Sequence, residues 1–231
     1  MFSFFSKTIA KSRLLEGMTD AYSHILPGVD DGVPDMDSSL AILREYEAQG
    51  ITSVWLTPHI MEDIPNETAE LQQRFAELQA TYDGPITLRL AAEYMLDGVF
   101  DERFKNRDLL THSGNNILVE TSYFTPPMGF YGTLEEIKRA GYYPILAHPE
   151  RYIYMDDNAY KKLRHMGVKF QLTLFSLVGI YGPTAKKKSL KLLREGYYTL
   201  VGTDLHRHQA LQRNLEAKEP KSLLHILENM T

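Results

Sequence analysis

Eight histidine and carboxylate side chains follow short apolar runs of this 231-residue chain. Imidazoles mixed with carboxylates form a ligand set for divalent ions such as Mn, Fe, Zn and Mg. The chain contains no cysteine, which excludes thiolate zinc sites, disulfide scaffolds and cysteine nucleophiles. Since eight such groups exceed what one ion uses, we expect a cluster of two or three metals. The eight residues are His24, Asp31, His59, Glu93, Glu120, His148, Asp204 and His206.

The apolar runs themselves predict strands. Most are continuous rather than alternating, which indicates strands that are buried on both faces, as in a parallel sheet. They cover residues 18–24, 51–57, 86–92, 117–121, 143–147, 168–173 and 198–202. Helical patterns lie between and after them, at residues 37–49, 68–82, 133–140, 158–166, 184–194 and 208–229.

About seven strands that alternate with helices in one domain indicate an α/β fold, either a barrel or a doubly wound sheet. In a β/α barrel the carboxyl ends of the strands converge on one face, where active sites are built. The eight side chains are therefore expected to meet around one cavity, although they come from distant parts of the chain.

Six strings at these strand ends resemble motifs of the PHP (polymerase and histidinol phosphatase) superfamily. The resemblance is strongest to its manganese-dependent protein-tyrosine phosphatases of bacterial capsule and exopolysaccharide systems, and it runs from Asp20 to His206. It implies a distorted (β/α)7 TIM-like barrel, with residues 18–231 as a single domain and residues 1–17 as an N-terminal extension. The strings are YSHILPGVDDG at 22–32, TPH at 57–59, AEY at 92–94, LVE at 118–120, AHPERY at 147–152 and TDLH at 203–206.

The resemblance also implies a centre of three metals, expected to be manganese. It assigns His24, Glu93 and Asp204 to the first metal, Glu93, Glu120 and His148 to the second, and Asp31, His59 and His206 to the third.

Arginines of the same family bind phosphate. Arg151 matches one of them, and its planar fork suits a phosphoryl group. Arg207 is assigned as the second, with Arg213 also near. The alternative for Arg151 is an ordinary ion pair with Glu150 or Asp156.

One position departs from the family pattern. The family begins with His-x-His, whereas this chain has Tyr22 before Ser23 and His24. A phenol with a pKa near 10 is a poor ligand at neutral pH unless a metal ionises it. Either the first metal is weak or absent, or Tyr22 binds it as a phenolate, or the protein has lost activity.

The function that the resemblance implies is hydrolysis of phosphotyrosine on the tail of a bacterial tyrosine kinase that regulates capsule or exopolysaccharide export. A metal-bridging hydroxide would attack phosphorus, since no cysteine is available. The alternatives are a phosphoesterase for a small substrate, such as histidinol phosphate or a sugar phosphate, and a weakened or non-catalytic binding module.

Charge and composition limit the classes of binding partner and the cellular location that we expect. The net charge is −5, and no dominant basic face of the kind that nucleic-acid binders need is expected. No apolar stretch reaches the 18 residues of a membrane span, and the start of the chain lacks a secretory signal, so a cytoplasmic location is expected. The sequence leaves the oligomeric state open, a homo-oligomer included.

Two further segments have two interpretations each. The aromatic-rich segment 123–131 is either a wall for a flat substrate ring or a packed loop. The three lysines at 186–188 are predicted to form a solvated helical face, with docking of an acidic peptide as the alternative.

Overall fold

The computed structural model describes residues 6–220, which adopt an α/β fold. The strands are β1 Ser6–Thr8, β2 Thr19–Ser23, β3 Ser53–Leu56, β4 His59–Ile60, β5 Thr87–Leu90, β6 Glu93–Met95, β7 Asn116–Glu120, β8 Tyr143–Leu146, β9 Lys169–Thr173, β10 Tyr198–Gly202 and β11 Lys218–Pro220. The α-helices are α1 Ile9–Ser12, α2 Met36–Gln49, α3 Thr68–Thr81, α4 Gly98–Asn106, α5 Phe130–Arg139, α6 Asp157–His165, α7 Gly182–Arg194 and α8 His208–Leu215. Short 3₁₀ turns cover Pro149–Arg151 and Leu174–Val178.

Two parallel sheets carry the fold. Six strands pair in the order β10-β9-β8-β7-β6-β4, and three pair in the order β2-β3-β5. Strands β7 and β9 are buried along almost their whole length, as the continuous apolar runs predict, whereas β3 alternates between half-buried and buried residues. A separate antiparallel pair joins β1 to β11.

The ends of β2 and β10 lie side by side. The Asp204 amide donates to the Tyr22 carbonyl at 2.9 Å. Gly202 permits this approach, because a Cβ atom at that position would lie 2.5 Å from the Cβ of Tyr22. The strand ends of the two sheets are thereby brought to one place.

The helices are defined by local signals. The Asp35 carboxylate caps the start of α2 by accepting from the Ser38 amide at 2.8 Å, and Gly50 ends it in a left-handed conformation with φ 82°. Asp97 and Asp156 cap α4 and α6 in the same way as Asp35. Each cap ends the preceding strand-to-helix loop at a fixed point.

Most predicted elements are confirmed, with differences at the ends of the chain. The predicted helix at 208–229 is wrong in its extent: α8 ends at Leu215 because residues 218–220 pair with Ser6–Thr8 instead. Residues 221–229 of that prediction lie outside the described residues. The sequence interpretation missed the helix α4 and the two very short strands β4 and β6.

The hydrophobic core extends from the first described residues to α8. Ile9, Leu14 and Leu15 are buried in the same cluster as Leu211 and Leu215. The boundary predicted after residue 17 stays a prediction. Within residues 6–220, no helix combines the length and the apolar character needed to cross a membrane.

Candidate metal centre

Strand ends place seven of the eight predicted ligands at one site, and the eighth, Asp31, reaches it from the loop between β2 and α2. His24 follows β2, His59 begins β4, Glu93 begins β6 and Glu120 ends β7. His148, Asp204 and His206 follow β8 and β10 within four residues. Every one of these strands except β2 belongs to the six-stranded sheet, which carries His59 and Glu93 at the start of its short strands and the other four at carboxyl ends.

Glu93 lies at the centre of this group and is fully buried. Its Oε1 lies 3.2 Å from Nε2 of His148. Its Oε2 lies 3.1 Å from Nδ1 of His59 and 3.4 Å from Nε2 of His24. One carboxylate therefore faces three imidazoles, which is the arrangement expected of a bridging ligand.

Glu120 extends the group on one side. Its Oε1 lies 3.1 Å from Nδ1 of His59, and its Oε2 lies 3.6 Å from Nε2 of His148. Together, His59, Glu93 and Glu120 offer ligand atoms that all lie within 4.8 Å of one another. The spacing suits coordination of a single divalent ion by these three residues.

A second set lies nearer to solvent. Oδ1 of Asp31 is 3.6 Å from Nε2 of His59 and 3.5 Å from Nε2 of His206. With His24, these residues again offer ligand atoms within 4.8 Å of one another. His59 belongs to both sets, so the two possible ion positions are neighbours.

Unpartnered buried atoms show that this cluster is not complete by itself. Buried polar atoms normally have hydrogen-bond partners, and each exception calls for an explanation. Seven nitrogen and oxygen atoms of the group are buried without a hydrogen bond of good geometry, although some of them lie close to one another. They are His24 Nε2, His59 Nδ1, Glu93 Oε1, Glu120 Oε1, both ring nitrogens of His148 and Asp204 Oδ1. Nitrogen and carboxylate oxygen donors of this kind fit divalent ions of the Mn, Fe and Zn type.

Electrostatics support binding of cations. Burial and the Glu93 carboxylate raise the pKa of Glu120. Burial alone would raise the pKa of Glu93 as well, yet the neighbouring imidazoles hold it well below its ordinary value, so this carboxylate is charged. Burial opposes the protonation of His59, but Glu93 and Glu120 overcome this and raise its pKa to about 11. The site thus attracts positive charge strongly.

Asp30 orients the first imidazole. Its Oδ2 lies 2.8 Å from Nδ1 of His24 and accepts from the His59 amide at 3.1 Å, while its Oδ1 accepts from the Gly32 amide at 2.9 Å. This leaves Nε2 of His24 directed towards Glu93. Sequence analysis gave no role to Asp30, although its place beside Asp31 in the VDDG string was a usable signal.

Two ligand-type residues have strained backbones. His148 and Asp204 have φ values of 33° and 54°, in the left-handed region that residues other than glycine rarely adopt. Such strain costs of order 1–3 kcal/mol per residue and is concentrated at functional sites. In this chain it turns both side chains back over the strand ends.

Tyr22 also lies in the cluster. Its hydroxyl donates to Oε2 of Glu93 at 2.7 Å, and its ring packs edge-on against His24. Burial, followed by the charges of Asp204 and Glu93, raises the pKa of the phenol well above 10. The side chain is therefore a hydrogen-bond donor to the central carboxylate.

Arg151 lies at the edge of the cluster. Its Nη1 donates to Oδ2 of Asp204 at 2.9 Å, and its guanidinium lies 4.3 Å and 4.1 Å from the ring centres of Tyr123 and Tyr181. The alternative of an ion pair with Glu150 or Asp156 is wrong, since the partner is Asp204. The remaining N–H groups of the fork keep their capacity for another anion.

Comparison with known proteins identifies the family. Residues 18–224 match the family described as capsular polysaccharide synthesis, CpsB/CapC. The chain belongs to the CpsB/CapC family.

Curated relatives and a solved structure support this membership. The chain is 30% identical over 219 residues to the tyrosine-protein phosphatase YwqE of Bacillus subtilis (strain 168), covering 91% of this chain and 84% of that protein. It is 26% identical over 217 residues to the tyrosine-protein phosphatase CpsB of Streptococcus pneumoniae, covering 88% and 86%. A crystal structure from a study of YwqE and CpsB, described as unique metal-dependent tyrosine phosphatases, superposes with a TM-score of 0.79 at 29% identity and covers 92% of this chain and 87% of that one. The sequence resemblance to the capsule-associated phosphatases is thus confirmed.

Two other predictions concern Arg207 and the lysines at 186–188 of this CpsB/CapC chain. Arg207 is exposed at the start of α8, and its guanidinium has no ion-pair partner within residues 6–220. The prediction of a solvated lysine face is wrong for Lys188, whose Nζ is half-buried and donates to the carbonyls of Tyr152 and Met155.

The aromatic segment combines both of its interpretations. Tyr123 faces His148 and Arg151, whereas Phe130 is buried at the start of α5. Sequence analysis missed Tyr181, whose hydroxyl donates to Oδ2 of Asp204 at 2.9 Å. No local motif marks this residue, because its partner lies in another strand-end loop.

Proposed function

We propose that this chain is a metal-dependent phosphotyrosine-protein phosphatase. The observation that carries the proposal is the convergence of seven buried ligand-type atoms without good hydrogen bonds beside an arginine fork that uses Nη1 for Asp204. A phosphate monoester needs both parts: cations where charge develops on the phosphoryl oxygens, and a planar donor group to orient them. The phosphatase names of the relatives support the same reading.

The metal ligands in this proposal are the eight predicted residues. Following the family resemblance, His24, Glu93 and Asp204 would hold a first ion, Glu93, Glu120 and His148 a second, and Asp31, His59 and His206 a third. The mutual distances also place His59 beside Glu93 and Glu120, and His24 beside Asp31 and His206, so these two imidazoles lie between neighbouring ion positions. Manganese is the proposed metal, with Fe, Zn and Mg as competitors for the same donors. Divalent ions, when bound, supply positive charge to the phosphoryl group and lower the pKa of a coordinated water.

The remaining steps belong to the side chains. Arg151 orients the phosphoryl group with the N–H donors that Asp204 does not use. Tyr123 and Tyr181 hold its guanidinium between their rings, so the fork keeps one orientation. Asp30 maintains His24 with Nε2 towards the ions. Arg207, exposed at the same end of β10, is proposed as the second phosphate-binding arginine.

The proposed architecture is a distorted (β/α)7 TIM-like barrel. Two observations support this architecture. Strand β3 continues after two residues into β4, and β5 continues in the same way into β6. Where these strands continue, the Glu93 amide donates to the Pro58 carbonyl at 3.0 Å. On the other side, the Asp204 amide bonds to the Tyr22 carbonyl. If β3–β4 and β5–β6 are each counted as one strand, the fold has seven barrel strands. We infer that the barrel closes between β10 and β2.

The proposed substrate is the phosphotyrosine tail of a bacterial tyrosine kinase in a capsule or exopolysaccharide system. The family description and the names of the relatives support this choice. A cytoplasmic location follows from the proposal, since a kinase phosphorylates its tail where ATP is present. A homo-oligomeric state stays a prediction.

A second candidate is a weakened or non-catalytic member of the family. The observation that favours it is the bond from Tyr22 to Glu93, which occupies an oxygen of the central carboxylate. Hydrolysis assays with Mn²⁺ separate the candidates: a phosphotyrosine peptide, histidinol phosphate and a sugar phosphate are compared at equal concentration. The proposal expects preference for the peptide, whereas preference for a small phosphate or no hydrolysis at all would contradict it.

A further inference from the structure

Exposed apolar side chains surround the Arg151 corner of the site. Phe124, Ile153 and Ile180 are exposed by 70%, 61% and 44%. Each lies within two positions of Tyr123, Arg151 or Tyr181, the residues that form the arginine sandwich. Single exposed apolar residues are normal on protein surfaces, but apolar side chains gathered beside a site mark a contact surface.

One backbone hydrogen bond and one side-chain stacking contact join the three segments that carry Phe124, Ile153 and Ile180. The Ile153 amide donates to the Tyr123 carbonyl at 2.9 Å, which joins the loop after β7 to the loop after β8. The Arg151 guanidinium stacks on Tyr181, which joins the segment before α7 to the same place. Phe124, Ile153 and Ile180 are therefore carried by three segments that meet at Arg151, and we call these three exposed side chains the apolar rim.

A small cavity lies beside the arginine, and Ile153 is the rim residue that lines it, together with the polar side chains of Glu150, Thr184 and Lys188. It has a volume of about 220 Å³, and its walls include Tyr123, Arg151, Ile153 and Tyr181. Pockets that enclose a complete drug-sized ligand are larger, about 300–1,000 Å³. The cavity is thus suited to one side chain, and the rest of a ligand would lie over the apolar rim.

The chemistry of the rim differs from that of the metal cluster. The cluster offers charge and hydrogen bonds to a phosphoryl group, whereas the side chains of the apolar rim offer only apolar area. A small phosphate ester that contacts the cluster and Arg151 has no atoms left to cover the apolar rim. A polypeptide does, because the residues next to its phosphotyrosine extend beyond the phosphate and the ring.

We propose that the apolar rim is a specificity subsite for an apolar side chain next to the phosphotyrosine of a polypeptide substrate. The inference rests on the proposed phosphatase function and narrows its substrate class. Contact with an apolar neighbour removes exposed surface of Phe124, Ile153 and Ile180 from water and favours such peptides. Discrimination by one apolar contact is typically about 10- to 200-fold.

Steady-state kinetics with three substrates test the rim. Two phosphopeptides are identical except that leucine or serine flanks the phosphotyrosine on both sides, and p-nitrophenyl phosphate serves as the small ester. Wild type is expected to show a kcat/KM about tenfold higher for the leucine peptide. Phe124→Ser, Ile153→Ser and Ile180→Ser should each reduce that preference and leave kcat/KM for the small ester unchanged.

Tyr143→Ser is the matched control. Tyr143 is also a large exposed residue, at 53%, but it lies at the amino end of β8, away from the site. It should keep the full preference for the leucine peptide. Equal rates on both peptides in wild type, or an unaltered preference in all three rim variants, would overturn the inference while hydrolysis of the small ester leaves the phosphatase function intact. Absence of hydrolysis of all three substrates would instead overturn the proposed function.

Discussion

The Tyr22 hydroxyl donates a 2.7 Å hydrogen bond to Oε2 of Glu93, the carboxylate that also faces His24, His59 and His148. A phenol in this position supplies a proton where an imidazole would supply a lone pair. The first metal of the proposed centre therefore keeps only His24, Asp204 and the shared Glu93, without the further imidazole that the family pattern has at position 22, and it is expected to bind most weakly.

Replacement of Tyr22 by histidine tests this directly. Elemental analysis of wild type after dialysis is expected to give fewer than three tightly bound ions, and Tyr22→His should gain about one equivalent per chain. Turnover of the variant at limiting Mn²⁺ should rise. Tyr22→Phe, which removes the hydroxyl without adding a ligand, should gain none. Three tightly held metals in wild type, with no gain in Tyr22→His, would show that Tyr22 does not weaken the site.

Loss of the central carboxylate should empty the cluster without unfolding the chain. Glu93→Gln keeps the side-chain volume but removes the charge that three imidazoles face, so metal content and turnover should both fall. A turnover loss above about 100-fold is expected, since even outer-shell changes cost 10- to 100-fold.

Glu150→Gln is the matched control for Glu93→Gln. Glu150 is equally buried, but its carboxylate accepts from the Tyr198 hydroxyl at 2.9 Å and the Thr173 amide at 3.1 Å rather than facing the imidazoles. Its metal content should match wild type. Full metal content in Glu93→Gln would remove Glu93 from the ligand set.

Arg151→Lys should separate phosphate binding from metal binding. An ammonium keeps the charge but loses the fork and the stacking between Tyr123 and Tyr181. A charge-assisted hydrogen bond contributes about 1.5–3 kcal/mol, so kcat/KM should fall about 10- to 100-fold and the inhibition constant for inorganic phosphate should rise. Metal content should stay the same. An unchanged phosphate inhibition constant would argue against this role for Arg151.

A buried histidine away from the site should make stability depend on pH. His112 stacks on Trp55, and its Nε2 lies 3.0 Å from the Ala21 carbonyl oxygen. Burial lowers its pKa to about 4, against about 6.5 in the unfolded chain. The unfolded chain thus takes up the proton first on acidification, and folding stability falls as the pH drops from 6.5 towards 4.

For one such group the loss between pH 7 and pH 5 is about 2 kcal/mol. Urea unfolding in the presence of a chelator should show a flatter pH dependence for His112→Phe by about that amount. His165→Phe, at an exposed position of α6, should keep the wild-type pH dependence. An identical slope in wild type and His112→Phe would rule out this source of pH dependence.

Most of the candidate ligands could be predicted because they lie at or just after the end of an apolar run, whereas Asp31 was indicated by the YSHILPGVDDG string. That signal is local: Glu120 ends β7, and His148 comes two residues after β8. Tyr181 has no such signal, since its partner Asp204 is brought near only by the fold. The extent of α8 was mispredicted for the same reason, because the pairing of Lys218–Pro220 with Ser6–Thr8 overrides local helix preference.

The left-handed backbone at His148 and Asp204 lowers the stability of the fold while it positions two candidate metal ligands. Both residues carry a conformational cost that a glycine at the same φ would not. Asp204 recovers part of that cost through its hydrogen bonds with Arg151 and Tyr181, and the proposed metals would recover more at both residues. Variants selected for heat resistance alone are therefore expected to replace these two residues early, for example by glycine, and to lose hydrolysis as stability rises. Selection for the phosphatase function would keep both residues in their strained conformation.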